Sequence, residues 1–152
     1  MRGKAIIGAV VLSFGISGIF SIEREARAFA VPEIAAPWLN DIAMAKITAN
    51  GPVIFYNPTM CKEVGPGVCG FIRAHEYGHI VLNHSNEFYT KYFGGRALAE
   101  AEADCFAAKN TQGWQAKATI NWFLAPERVD FDAGDHGTGR ERAKRIKECR
   151  GI

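Results

Sequence analysis

"FIRAHEYGHIVLNH", residues 71–84, is the stretch on which the reading of this chain turns. Gly70 precedes it, "NHSN" closes it, and its apolar residues recur at helical spacing. A helix is therefore predicted from Phe71 to about His84. On such a helix His75 and His79 are four positions apart, about 40° of rotation, so both imidazoles leave one face a turn apart. Two ring nitrogens so placed can meet one Zn²⁺ at ~2.0–2.1 Å each. Glu76 lies beside that face, from where its carboxylate reaches water at the ion without binding the ion. The pattern is H-E-x-x-H, two ligands and a general base. His84 stands about 140° round from His79 and is expected at the helix end, facing away.

A catalytic zinc needs a third protein ligand and an open position. "AEAEAD", residues 99–104, offers it on the next helix. Glu100 and Asp104 are four apart and share a face, whereas Glu102 lies about 200° from Glu100 and points elsewhere. Asp104 is expected to accept the free ring N–H of a ligand histidine, most plausibly His75, which would fix its tautomer. Taken alone, an Ala/Glu/Asp helix reads as a solvated surface. The upstream pair of histidines changes that reading.

"HEYGH", Glu100 twenty-one residues after His79, and Asp104 four further on resemble the H-E-x-x-H plus E-x-x-x-D signature of gluzincin zinc metallopeptidases. "AHEYGHIVLNHS" and "EAEAD" are similar to the branch holding CAAX prenyl proteases, membrane heat-shock proteases and small soluble minigluzincins. The likeness covers about residues 50–110, with a weaker echo near 136–146. It implies His75, His79 and Glu100 as zinc ligands and Glu76 as base. It also implies an edge strand above the active-site helix that holds substrate backbone extended, and "VIFY", residues 53–56, occupies that place in the chain. His136, in "GDHGTGRERAKRI", resembles a late histidine before an Arg-bearing helix, implicated in steadying the oxyanion; Gly137 stands where the family usually has proline. The family's best-known members have several membrane spans, which this chain lacks, so the minigluzincin comparison suits its length better.

The remaining sequence frames that site. The 152 residues suit one domain. Residues 1–30 read as an export signal: Arg2 and Lys4, then an uncharged run from Ala5 to Ile22, then Ala28-Phe29-Ala30 as a small-x-small cleavage site. Retention as a membrane anchor is the alternative. The domain is then 31–152, in a periplasmic or secreted setting. Removing 1–30 takes four of the 18 Lys and Arg and two of the 16 Asp and Glu, leaving 14 of each. That balance gives no electrostatic case for nucleic acid. "RERAKRIKECR", 140–150, reads as a solvated helix face.

Four cysteines in an exported domain read as two disulfides, with three pairings open. Cys61–Cys69 is favoured because Gly-Pro-Gly lies between them, which leaves Cys105–Cys149; a Cys-ligated zinc is the alternative, disfavoured because no C-x-x-C pair exists. Helices are predicted over 37–48, 71–84, 96–110, 115–125 (core stripe Ile120, Phe123, Leu124) and 140–149. "VIFY" is the best strand. Residues 31–37, the Cys61–Cys69 segment, 86–95 and 127–139 are expected as lead-in or loops. The fold class is α+β, mostly helical with a small sheet.

The function expected is zinc-dependent peptide-bond hydrolysis, with Glu76 as base and peptide or unfolded protein as substrate. The competing readings are a zinc-binding regulatory or interaction domain without turnover, and a disulfide-bonded domain without metal. Membrane enters as a partner only if the leader is retained. Oligomeric state is not legible.

Overall fold

A computed structural model describes residues 31–84, 91 and 95–152. The expected leader, 1–30, and nearly all of the 86–95 segment lie outside these residues. Lys91 and Gly95, the two positions of that segment that are described, are helical rather than loop. The described chain is α+β: strands β1 (Glu33–Ala35), β2 (Ala43–Thr48) and β3 (Gly51–Tyr56), then helices α1 (Pro58–Val81), α2 (Gly95–Asn110), α3 (Gly113–Phe123) and α4 (Gly139–Arg150). No described helix is long and apolar enough to cross a membrane.

The helix expected over 37–48 is not there. Residues 37–42 turn, and Ala43–Thr48 runs antiparallel to β3, Ala43 opposite Tyr56 and Thr48 opposite Gly51. The pairing leaves Ala49-Asn50 as a two-residue hairpin loop, and Gly51 takes the positive φ of 106° that follows it. Long-range ladder bonds to β3 thus override the local helical spacing. The lead-in is also ordered, though exposed: β1 pairs parallel with β3. The sheet order is β1-β3-β2. "VIFY" is therefore the central strand and not an edge, with Val53 and Ile54 buried. The edge facing the site is β2.

Helix α1 begins earlier than expected. Asn57 caps it, its Oδ1 accepting from the Thr59 and Met60 N–H groups, and Pro58 supplies a preset φ at the first position. Gly65 (φ 84°, ψ 162°) breaks the helix once and Pro66 restarts it. The Cys61–Cys69 disulfide joins the two segments across this break, so the expected loop is two helical pieces meeting at a kink.

Around α1 the other elements close. It packs on β2 and β3, on α2 and on α3, and α4 seals α2 and α3 from behind. The core runs through Ile42, Ile54, Phe71, Ile72, Ile120, Phe123 and Ile146. Leu124, expected in that stripe, caps α3 and is exposed. The buried face of α2 is Ala99, Ala103, Ala107 and Ala108, so its backbone comes close to α1. At Gly78 an added Cβ would lie 3.1 Å from the Phe106 Cβ. This close approach brings the α2 carboxylates to the α1 histidines. The second disulfide, Cys105–Cys149, ties α2 to α4.

Candidate metal centre

His75 and His79 leave α1 toward α2, one turn apart. Their Nε2 atoms are 3.0 Å from each other. Glu100, one turn into the described part of α2, brings its Oε2 to 3.0 Å from His75 Nε2 and 3.2 Å from His79 Nε2. The three form a group that can hold a metal ion. Ligands of a tetrahedral ion at ~2.05 Å stand roughly 3.3 Å apart, so this triangle needs only slight expansion to take one.

The far side of each ring supports the same conclusion. Asp104, fully buried, places Oδ1 2.9 Å from His75 Nδ1. An ionised carboxylate only accepts, so His75 Nδ1 carries the hydrogen and its Nε2 lone pair faces the triangle. In the neutral ring that lone pair, the second imidazole and the Glu100 carboxylate converge on one point, where either a proton on His75 Nε2 donated to Glu100 or a metal cation supplies the positive charge. Two imidazoles and a carboxylate are a donor set zinc accepts, so the residues fit a zinc ion.

Electrostatics follow the same logic. Burial opposes charge on His75, but its hydrogen bonds to Asp104 and Glu100 outweigh burial and push its pKa up to about 9. Burial likewise opposes charge on Glu100, yet His136, His75 and His79 hold its carboxyl well below the usual range. Asp104 is also held low against its burial, chiefly by Arg142 and His75. Arg142 grips it through Nε at 3.1 Å and Nη2 at 2.6 Å, and Arg145 adds Nη1 at 2.9 Å. The charge run on α4 therefore has two faces. Arg140, Lys144 and Lys147 are solvated as expected, but Arg142 is buried and, with Arg145, turned inward.

Glu76 sits in the same cleft without joining the triangle. Its Oε2 accepts the Ala45 N–H at 2.7 Å. Burial raises its pKa, opposed by His75 and by that N–H. The Ala45 N–H is available because Ile54, opposite it, bonds the other way, donating to the Pro32 carbonyl at 2.9 Å. By the antiparallel alternation, the backbone groups of Ala43, Ala45 and Ile47 point to the outer side of β2.

Two cavities meet here. One, about 520 Å³, runs along β2 past Ala43, Ala45, Ile47, Glu76, His79 and Glu100. The other, about 470 Å³, is more apolar, with Ile42, Ile72, Trp122, Phe123 and Phe131 around His75, Glu76 and Arg142. His136 lines both. It ends a short 3₁₀ turn, Gly134–His136, in the expected 127–139 loop, and its Nε2 is 3.0 Å from Glu100 Oε2.

His84 differs from expectation. The helix has already ended at Val81, so a 140° rotation does not apply. Asn83 takes a left-handed φ of 58°, the Asn83 N–H donates to Ile80 O, and the His84 N–H donates to His79 O at 2.9 Å. That pair of bonds is a Schellman end. It folds the chain back and sets His84 Nδ1 2.9 Å from His79 Nδ1. Glu102 does point away from the triangle, but toward His84, with Oε2 3.1 Å from Nε2. Sequence reading missed Ala45, His84, Glu102, Arg142 and Arg145 as parts of this site. Asn83 before His84, a left-handed helix stop, was the one legible signal.

Compared with protein-family models, with curated proteins and with solved structures, the chain matches none.

Proposed function

We propose that the protein is an exported, zinc-dependent peptidase of the gluzincin kind, hydrolysing peptide bonds in extended or unfolded chains. Its main support is the convergence of His75 Nε2, His79 Nε2 and Glu100 Oε2 within 3.0–3.2 Å, with Glu76 in the same cleft and outside the triangle. Two disulfides agree with an oxidising, exported setting.

Zinc held by His75, His79 and Glu100 would supply a Lewis acid that polarises the scissile carbonyl and makes water acidic enough to attack near neutral pH. Glu76 takes the proton of the attacking water on its carboxylate and returns it to the leaving amine. The outer backbone groups of β2 other than the Ala45 N–H, which Glu76 holds, offer an extended peptide a strand to pair with, which fixes the main chain without reading side chains. The apolar cavity beyond takes a bulky side chain next to the cleaved bond. His136, half-exposed and bonded through Nε2 to Glu100, would have to turn from that carboxylate to donate its N–H to the developing oxyanion.

Metal analysis of purified protein should find about one zinc per chain, and cleavage of a denatured protein should stop on chelation and return with zinc. Glu76→Gln should retain zinc while losing turnover by roughly 10²–10⁴. Zinc without cleavage in the parent protein would leave the non-catalytic zinc domain as the correct reading. No zinc at all would remove both.

A further inference from the structure

Of three carboxylates on α2, Glu100 and Asp104 reach the α1 histidines and have a role above, while Glu102 reaches His84 beyond the end of α1. The third acts through His84. We propose that His84 and Glu102 form a two-residue relay that sets the tautomer of His79, so that its Nε2 lone pair is presented to the metal.

The chain of bonds fixes the direction. Glu102 Oε2 lies 3.1 Å from His84 Nε2. A carboxylate has no hydrogen to give, so His84 Nε2 donates. The hydrogen of the neutral ring is then on Nε2, and His84 Nδ1 is an acceptor. His79 Nδ1, 2.9 Å away, is the donor to it. His79 therefore carries its hydrogen on Nδ1, and Nε2, 3.0 Å from His75 Nε2, faces the triangle unprotonated. Asp104 does for His75 in one step what Glu102 does for His79 in two.

The construction is specific. The His84 side chain is 2 % exposed, and a buried imidazole is costly unless its ring nitrogens are bonded. It reaches His79 only because the Schellman end at Asn83 reverses the chain. Glu102 is half-exposed, so it can be changed without opening the core. His84 and Glu102 are positioning residues; neither is a ligand in the triangle.

This inference rests on the zinc reading, and the test separates the two. Full-length parent, Glu102→Ala, Glu102→Gln, His84→Ala and the double variant His84→Ala/Glu102→Ala are prepared. Zinc affinity is read by competition with a coloured chelator, and the His79 tautomer by long-range ¹H–¹⁵N NMR of the zinc-free protein. Glu102→Ala should weaken zinc binding by about 10–100-fold and turn the single Nδ1–H pattern of His79 into a mixture. Glu102→Gln, which can still accept from His84, should recover most of both. The double variant should bind zinc no more weakly than His84→Ala, because both changes cut one chain. A Glu102→Ala protein that binds zinc like its parent, with the His79 pattern unchanged, overturns the relay. A parent that binds no zinc overturns the metal reading, and the NMR pattern then judges the relay alone.

Discussion

At the scale of single residues, the decisive quantity is where hydrogens sit on three imidazoles. His75 is the most constrained. Without metal, its raised pKa means that the folded protein holds a proton the unfolded chain releases near pH 6.5. A raised folded-state pKa contributes stability that is complete below the unfolded value and is lost as pH climbs through the folded one. The metal-free protein should therefore lose stability between pH 6.5 and about 9, on the order of 3 kcal/mol. On the proposed zinc reading the ion would displace that proton, so the stabilisation gained on adding zinc should grow across the same window. Thermal unfolding at stepped pH, with chelator and then with zinc, checks both, and a metal-free melting temperature that rose toward pH 9 would contradict the assignment. His75, His79 and Glu76 were readable because four-residue spacing on a helix is a local property. The proton arrangement was not, since it depends on Asp104, Arg142, Arg145, His84 and Glu102 arriving from elsewhere.

At the scale of elements, tight backbone approaches place the site. Gly139, the first residue of α4, is buried where an added Cβ would fall well inside contact distance of the Phe123 and Arg128 carbonyl oxygens. Neither oxygen is on a flexible side chain. Gly139→Ala should thus force α4 away from α3 and cost about 1–3 kcal/mol. Because α4 carries Arg142 and Arg145, zinc affinity should fall as well. Denaturant unfolding and chelator competition on this variant test the two effects; parent-like values in both would show that α4 tolerates the shift. The elements themselves were unevenly legible. Helices 95–110, 113–123 and 139–150 were found within two residues, as strong propensity and stop signals allow. Strand β2 lies where local spacing points to a helix, since six residues with no strict alternation take their conformation from the β3 partner. The same dependence hid the open edge, which belongs to β2 and not to "VIFY".

At the scale of the whole molecule, two disulfides hold a modest core together, and they should contribute unequally. Cys61 and Cys69 close a separation of 8 residues, and Cys105 and Cys149 one of 44. Loop-closure entropy assigns about 2.5 kcal/mol to the first and about 4 kcal/mol to the second. Replacing Cys105 and Cys149 by alanine should accordingly lower stability more than replacing Cys61 and Cys69. It should also loosen the Arg142–Asp104 contact, since α4 loses its tie to α2. Paired melting curves decide it, and equal losses would contradict the entropic ranking.

The sequence by itself determined what nearest neighbours decide: helices set by propensity and capping, the shared face of His75 and His79, the shared face of Glu100 and Asp104, and the cysteine count. Only the tertiary structure decided which strand lines the cleft, that Arg142 and Arg145 turn inward, and that His84 folds back on His79. The reason is physical. Helical periodicity is written into bonds four residues apart, whereas sheet order, buried ion pairs and the partner of a ring nitrogen depend on residues tens of positions away, and nothing in their local sequence records who they meet.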